Sequence, residues 1–281
     1  MIAPMTPASH AALHPDASPD AILGALDSGE LRTAQPDESA PNGWRVNADV
    51  QRAILRLFAN KDTRTWKLHG FQYRDRVNLP LKNLVASEGA LAAVEAGKPW
   101  RVVPGGTSVR AGVYLAPGVT VMPPSYINVG AWIGEGTMVD SHVLVGSCAQ
   151  IGARVHMSAG VQIGGVLEPP GKRPVIVEDE AFIGAQAALL EGVLVQRGAV
   201  IAAGVILTGT SRLYDLACDE VRVGTLDEPL VVPPGAVVVP GVRAIGGDFA
   251  TRHGLGLSTA IVVKYRDERT DARVALEEAL R

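Results

Sequence analysis

The sequence has few aromatic residues, few cysteines and no strong excess of charge of either sign. Aromatic residues make up 5% of its 281 residues, against 47% hydrophobic residues overall, which predicts a core of stacked Val, Ile and Leu. The two cysteines, Cys148 and Cys218, lie far apart, so neither a disulfide framework nor a paired-cysteine metal site is expected. The formal net charge of −3 predicts no general attraction to nucleic acid or to an anionic membrane.

Long apolar runs are also missing. None approaches the roughly 20 residues of a membrane-spanning helix. The first 17 residues contain no Lys or Arg ahead of a continuous apolar stretch, which argues against a secretory signal. We therefore expect a soluble protein in the reducing environment of the cytoplasm, with no membrane partner.

What the sequence does contain is a repeat of six residues between Val109 and Val242. One residue in six is aliphatic without a break at Val109, Leu115, Val121, Ile127, Ile133, Val139, Val145, Ile151, Met157 and Ile163. The register resumes at Val177, Ile183, Leu189, Val195, Ile201, Leu207 and Leu213, and after a second interruption at Val232 and Val238. The residue four positions after each aliphatic is nearly always small or β-branched, and glycine is common in the second and fourth places.

A period of six fits neither an α-helix nor an ordinary strand over this length. It is typical of the left-handed parallel β-helix, in which each hexad forms one short strand and a corner, and three hexads complete a triangular coil. Chance spacing in a Val-rich β-sandwich is the alternative, which ten successive register positions disfavour. The sequence therefore predicts a mainly β fold built around a prism.

The repeat also divides the chain into four parts. We expect a flexible tail at 1–17, a small helical N-terminal domain at 18–101, the prism at 102–243 with loop excursions at 165–174 and 214–230, and a C-terminal cap at 244–281. Cap and stop signals predict a helix from the Ser18–Pro19 signal through Ala25, ended by Ser28–Gly29, and further helices after Asn47, from Ala86 to Ala96 and from Thr270 to Leu280. We also expect a connector at Phe71–Asn83 and a strand at Ser258–Tyr265.

Several motifs go beyond the repeat. They are Gly136-Thr137-Met138-Val139-Asp140, Val145-Gly146-Ser147-Cys148-Ala149-Gln150, Gly164-Gly165-Val166-Leu167-Glu168-Pro169, Phe182-Ile183-Gly184-Ala185, Leu190-Glu191-Gly192-Val193, Leu26-Asp27-Ser28-Gly29, Arg101-Val102-Val103-Pro104, Arg212-Leu213-Tyr214-Asp215 and Ile261-Val262-Val263-Lys264. Together they span most of the chain from about residue 20. With them the sequence resembles the tetrahydrodipicolinate N-succinyltransferases of bacterial lysine biosynthesis.

The resemblance implies a homotrimer of prisms that moves a succinyl group from succinyl-CoA to the amine of an open-chain dicarboxylate. It also implies that Arg110 and Asp140 correspond to the substrate-contacting arginine and aspartate of the family. The segment Gln186-Ala187-Ala188 departs from members that carry Arg and Glu there, so an acidic group is missing at Ala188. An acetyl donor, or an acceptor that is an analogue of tetrahydrodipicolinate, therefore stays open.

Asp140 and Arg110 each follow an inward aliphatic residue, so both side chains should face outward. Asp140 can bind the acceptor's ammonium group and then take its proton, and Arg110 can bind a carboxylate with its planar fork. Their separation of thirty residues places them on different faces of one prism, which predicts a site shared between two subunits. A solvated aspartate and an unliganded surface arginine are the alternatives.

Weaker candidates complete the predicted site. Substrate contacts are expected from Ser147, Gly165 and Glu168, and contacts to the acyl donor from Ala202, Ala203, Gly204, Arg212 and Lys264, although corner packing or a solvated charge explains each of them as well. His142 and His156 occupy different hexad places, so we interpret both as structural and expect no metal. A zinc-dependent prism hydratase and a non-catalytic scaffold or ice-binding solenoid are the remaining alternatives, and the sequence has no regular Thr ranks for the last.

Overall fold

A computed structural model describes residues 17–68, 71–85, 88–95, 97–167, 171–225 and 227–266. The predicted terminal helix at Thr270–Leu280 and the candidate Glu168 lie outside these residues, as does the predicted tail except for Ala17.

The N-terminal region contains helices and short antiparallel strand pairs. Its elements are α1 Pro19–Ser28, β1 Ala34–Pro36, β2 Trp44–Val46, α2 Ala48–Ala59, β3 Thr63–Leu68, β4 Phe71–Arg76 and α3 Glu88–Glu95. Ser18 caps α1 as predicted, because its hydroxyl accepts the N–H of Ala21 at 3.2 Å. The predicted connector at Phe71–Asn83 is wrong for its first half, since β4 pairs with β3 in a hairpin.

The prism is built from two-residue strands. They are β5 Arg101–Val102, β6 Ser108–Val109, β7 Tyr114–Leu115, β8 Thr120–Val121, β9 Tyr126–Ile127, β10 Trp132–Ile133, β11 Met138–Val139, β12 Leu144–Val145, β13 Gln150–Ile151, β14 His156–Met157, β15 Gln162–Ile163, β16 Ile176–Val177, β17 Phe182–Ile183, β18 Ala188–Leu189, β19 Leu194–Val195, β20 Val200–Ile201 and β21 Ile206–Leu207. The second residue of each strand from β6 to β21 is buried, so the aliphatic residues of the hexads form the core as predicted.

The C-terminal elements close the top of the prism. They are β22 Arg212–Asp215, β23 Glu220–Val223, β24 Val231–Val232, β25 Ala236–Ala244, α4 Asp248–His253 and β26 Gly256–Tyr265. The excursion predicted as a loop over residues 214–230 instead contains the end of β22 and all of β23, which pair as a hairpin, and β22 also pairs with β26. The pairing of β22 with β26 spans more than forty residues and is invisible in a local pattern, whereas the β22–β23 hairpin is local and was missed because its segment is short and charged.

Parallel pairing stacks the prism strands into three walls. The first wall contains β5, β8, β11, β14, β17, β20 and the start of β25; the second contains β6, β9, β12, β15, β18 and β21; the third contains β7, β10, β13, β16, β19 and β24. This arrangement is the predicted left-handed parallel β-helix, and the fold prediction is confirmed. We call the corner between the first and second walls the first edge, that between the second and third walls the second edge, and that between the third and first walls the third edge.

The N-terminal region covers the outer face of the third wall. The Tyr114 and Trp132 rings stack with centroids 3.9 Å apart, and the Arg32 guanidinium lies 4.1 Å from the centre of the Trp132 ring. The Trp44 indole donates to Glu178 at 2.9 Å. Helix α2 reaches the second edge at Gly130, whose φ of +78° suits glycine and where an added Cβ would lie 2.7 Å from Ile54 Cδ1. The third wall is therefore occupied by the protein's own chain.

The third edge carries most of the ion pairs of the prism. Arg154 pairs with Glu180 at 2.7 Å, Arg197 with Asp179 at 3.0 Å, and Lys98 with Glu135 at 2.6 Å. Such exposed pairs contribute little to stability individually, and in the single chain they leave this edge charged and open to water. Within the described residues, no helix is long and apolar enough to cross a membrane.

Candidate active site

Most of the predicted site residues are divided between the first and second edges of the prism. Asp140 follows β11, where the chain turns from the first wall into the second. Arg110 follows β6, where the chain turns from the second wall into the third. Both residues therefore border the second wall, from opposite sides, and the predicted placement on different faces holds.

A hydrogen-bond ladder links the Asp140 corner to the corner expected to bind the acyl donor. Backbone N–H groups of Gly160, Gln186 and Gly204 donate to the carbonyl oxygens one coil below, on Ser141, Ala159 and Ala185, at 2.9 to 3.0 Å. The ladder shows that residues 202–204 stack three coils above Asp140 on the same edge. Since stacked strands lie about 4.8 Å apart, the two corners are separated by about 14 Å.

The Asp140 side chain is half-buried and partly fixed. Its Oδ1 accepts the N–H of Ser141 at 2.7 Å, and its backbone carbonyl accepts the Ser125 hydroxyl at 2.9 Å. His142, two residues on, is exposed at φ +62°, and its N–H donates to the carbonyl of Pro124 at 2.7 Å. His156 lies on the outer face of the first wall and stacks on Phe182, with ring centroids 5.2 Å apart. The two histidines are not placed together.

The Arg110 guanidinium is largely buried and already has a partner. It forms an ion pair with Asp75 of β4, and its side chain is 16% exposed. Sequence analysis missed Asp75 because β4 was not recognised. Yet residues 63–68 and 71–76 alternate in polarity around His69-Gly70, which is a hairpin signal.

A cavity of about 350 Å³ lies between this hairpin and the prism. Its lining includes Trp66 and Tyr73 from the hairpin and Ser108, Arg110 and Tyr126 from the second wall and its edge. Burial raises the pKa of Tyr126, and the nearby Arg110 charge opposes that rise without cancelling it. The Tyr126 hydroxyl therefore stays protonated at neutral pH and can donate to an anion beside Arg110.

Ser147 and Gly165 lie on the second edge, above Arg110. Ser147 is buried, its hydroxyl accepts the N–H of Val166 at 3.3 Å, and a Cβ added to Gly165 would lie 2.7 Å from that hydroxyl oxygen. These contacts are corner packing within one chain. Val166 and Leu167 pack against the N-terminal helices, so the first excursion begins in a core and not in solvent.

The expected donor-binding residues have different surroundings. Ala203 and Gly204 are exposed on the first edge, whereas Ala202 is 2% exposed and packs in the prism core. Arg212 begins β22 and is exposed, and Lys264 lies half-buried on β26. Ala188, the position without the acidic group, lies on the second wall between Gln162 and Ile206. Among the described residues no group of three metal-binding side chains occurs.

The sequence is similar to known proteins over nearly its whole length. Residues 174–209 match the family model described as the hexapeptide repeat of succinyl-transferase. The relatives named 2,3,4,5-tetrahydropyridine-2,6-dicarboxylate N-succinyltransferase include one from Ralstonia pickettii, 42% identical over 262 residues, which are 92% of this chain and 87% of the relative. Another, from Bordetella petrii, is 44% identical over 260 residues with the same coverage.

A third relative of the same name, from Polynucleobacter asymbioticus, is 38% identical over 282 residues and covers 97% of this chain and 94% of its own length. The resemblance drawn from the sequence motifs is thus confirmed, and this chain belongs to the 2,3,4,5-tetrahydropyridine-2,6-dicarboxylate N-succinyltransferase family.

Proposed function

We propose that this protein transfers a succinyl group from succinyl-CoA to the amine of open-chain tetrahydrodipicolinate, a step of the diaminopimelate and lysine pathway. The observation that carries the proposal is identity of 42% over 92% of the chain to an N-succinyltransferase. The position of Asp140 and Arg110 on the two edges of one wall supports it.

In this reaction the amine nitrogen attacks the thioester carbonyl carbon, a C–N bond forms, and the C–S bond to CoA breaks. The amine must first lose its ammonium proton, and then a second proton as the amide forms. A carboxylate beside the nitrogen can accept a proton and pass it to the leaving sulfur or to water. Asp140 suits this role because the Ser141 N–H fixes one of its oxygens, and Oδ2 remains for the amine.

The acceptor carries a carboxylate at each end, and Arg110 is suited to bind one of them. The guanidinium is largely buried at the cavity wall, where a carboxylate is bound more strongly than in open water. The protonated Tyr126 hydroxyl supplies a further donor in the same cavity.

The first edge offers a path for the acyl donor. Its exposed Ala203 and Gly204 are small, so the pantetheine arm of CoA can approach the backbone closely there. The distance from this corner to Asp140 is roughly 14 Å, which an extended pantetheine arm spans. Arg212 begins β22, which pairs with the part of β26 that lies above this corner, so it can meet the phosphates of CoA. Lys264, the other candidate for these phosphates, lies on β26 opposite Val237, nearer the start of the first-wall strand.

A homotrimer supports this arrangement best. The third wall is covered by the N-terminal region and the third edge is charged, which leaves the second wall and its two edges to face neighbouring prisms. In a three-fold ring, the first edge of one subunit then meets the second edge of the next. We place the enzyme in the cytoplasm, where succinyl-CoA is available.

One observation favours a second candidate. Ala188 lies on the second wall and provides no carboxylate. By the sequence resemblance, some members of the family carry an acidic residue in this segment. A related reaction, with an acetyl donor or with an analogue of tetrahydrodipicolinate as acceptor, would follow if that carboxylate were needed for the usual acceptor.

Release of free CoA tests both candidates. Succinyl-CoA and acetyl-CoA are each incubated with and without tetrahydrodipicolinate, and thiol is measured for the wild type and for Asp140→Asn. We expect release that depends on succinyl-CoA and acceptor together and is largely lost in the variant. Acceptor-dependent release from acetyl-CoA alone would favour the second candidate with tetrahydrodipicolinate as its acceptor. No release with either donor would contradict tetrahydrodipicolinate as the acceptor and leave only an analogue.

A further inference from the structure

The ion pair between Arg110 and Asp75 joins two parts of the chain that otherwise touch little. Asp75 lies on β4 of the hairpin Thr63–Arg76, and Arg110 lies on the second edge of the prism. The hairpin's backbone pairing is internal, with six residue pairs from Thr63↔Arg76 to Leu68↔Phe71. A cavity of about 350 Å³ separates its inner face from the prism.

The hairpin is weakly attached for its size. Of its side chains that the structure describes, none is buried, and none belongs to a hydrophobic cluster of the protein. At its base the backbone of Val77 donates to the carbonyl of Asp62 at 3.0 Å, and Arg76 donates to the carbonyl of Asn60 at 3.2 Å. A two-stranded hairpin without a packed face is marginally stable alone, so the Asp75 contact matters for its position.

Asp75 presents to Arg110 the same chemical group that a dicarboxylate acceptor would bring. A carboxylate is held here by the guanidinium, inside a cavity large enough for a small organic acid. Two carboxylates cannot share the Arg110 fork without repelling each other at close range. An acceptor carboxylate that binds Arg110 therefore competes with Asp75 for the guanidinium.

We propose that Asp75 is an internal stand-in for the acceptor carboxylate, and that acceptor binding releases the β3–β4 hairpin from the prism. The inference rests on the proposed function only in taking a dicarboxylate as the acceptor. In the free enzyme, Asp75 neutralises the charge of Arg110 and the β3–β4 hairpin covers the cavity. When the dicarboxylate binds, the ion pair of Arg110 with Asp75 is replaced by one with the acceptor carboxylate, and the β3–β4 hairpin moves away from the prism.

Hydrogen–deuterium exchange tests this with pimelate, a seven-carbon dicarboxylate that has no amine to acylate. We expect pimelate to increase exchange of the backbone amides in Thr63–Lys67 and Gln72–Arg76, because the released hairpin frays. In Asp75→Asn, exchange in these segments should be high already without pimelate. The Asp75→Asn variant should also bind pimelate about fivefold more tightly, since a competing and partly exposed ion pair has been removed.

Two variants serve as controls. Asp49→Asn changes an exposed aspartate at the start of α2 and should behave as wild type in both measurements. Arg110→Gln should abolish the effect of pimelate on the hairpin. Protection of the hairpin by pimelate, weaker binding to Asp75→Asn, or no binding to the wild type would each overturn the proposal.

These outcomes are independent of the acyl-transfer assay, because no acyl donor is present. If pimelate opens the hairpin but no CoA is released with tetrahydrodipicolinate, the stand-in role of Asp75 holds and the proposed acceptor is wrong. If CoA is released but pimelate leaves the hairpin unchanged, the proposed function holds and the role of Asp75 is wrong.

Discussion

Asp140 and Arg110 stand on the two sides of a single wall of the prism, Asp140 where the chain enters that wall and Arg110 where it leaves. The flat wall of strands between them prevents the two side chains of one chain from meeting around a small substrate. A neighbouring prism that places its second edge against the first edge of this one brings one copy of each residue together.

Mixed trimers test that arrangement. Arg110→Ala and Asp140→Asn subunits are each expected to be inactive alone, but mixing them in equal amounts should restore about a quarter of wild-type activity. Every trimer that contains both variants then has one site in which Arg110 and Asp140 are both intact. The assay is CoA release after unfolding and co-refolding the two variants. Complete inactivity of the mixture, with trimers present by light scattering, would sink the shared site.

Asp140→Asn should lower the rate of acyl transfer without lowering the stability of the fold. We expect kcat to fall by at least about a hundredfold, because an amide cannot accept the amine proton, while Tm stays within a degree or two of wild type. Asp49→Asn is the matched control, an exposed aspartate at the start of α2 that should keep full activity. A similar kcat for Asp140→Asn and wild type would show that another group or solvent takes the proton.

Asp215 should make stability depend on pH in the acid range. Burial alone raises the pKa of this carboxyl, but the Tyr265 hydroxyl, the backbone N–H groups of Cys218 and Ala217, and Arg222 together lower the pKa below its ordinary value. A lowered folded-state pKa means that the unfolded chain binds the proton more readily. The stabilisation is therefore present above about pH 4 and is lost as pH falls through the folded-state pKa.

The corresponding variant is Asp215→Asn, which should lose about 2 kcal/mol of unfolding free energy at neutral pH, because the buried carboxylate no longer accepts charge-assisted hydrogen bonds from Tyr265 and the backbone, while Arg222 keeps Glu220 as a partner. The difference from wild type should shrink towards about pH 3. Urea unfolding at both pH values measures it, with Asp49→Asn as a control that has no such dependence. A difference that stays constant with pH would contradict the assignment.

Gly130 should be more sensitive to substitution than an equivalent corner glycine. Gly130→Ala and Gly118→Ala both place a Cβ at positive φ, +78° and +75°, which costs about 1 kcal/mol each. Only at Gly130 does the Cβ also collide with Ile54, at 2.7 Å, whereas at Gly118 the nearest atoms are 3.6 Å away. We expect Gly130→Ala to lower Tm clearly more than Gly118→Ala. Equal losses would mean that α2 moves away freely.

The prism could be predicted from sequence because its rule is local. Each hexad forms its own strand and corner. Because Val139 belongs to the series of inward aliphatic residues that recurs every six positions, Asp140, which follows it, is placed on an outer corner. The same reasoning failed for Asp75, since nothing near residue 75 in the sequence indicates that Arg110, thirty-five residues later, will meet it. It also failed for β22, whose partner β26 lies some fifty residues on.

Burial was harder to predict than position. Ala202 and Ala203 are identical residues in neighbouring hexad places, yet the first packs in the core and the second faces water. Residue type does not distinguish them, since both are alanine. The difference depends on which Cα–Cβ bond of the turn points towards the prism axis.

Both insertions into the prism leave and return at the second edge, one between β15 and β16 and the other between β21 and β24. They also contact each other there, since Lys172 pairs with Asp227 at 2.6 Å. The strands on either side keep their pairing register, Gln150↔Ile176 and Leu194↔Val231. Evolution can therefore change the length and charge of the outer parts of both insertions, on the Arg110 side of the prism, without shifting the register of the strands, whereas their inner residues Val166, Leu167 and Leu213 remain tied to the hydrophobic cores.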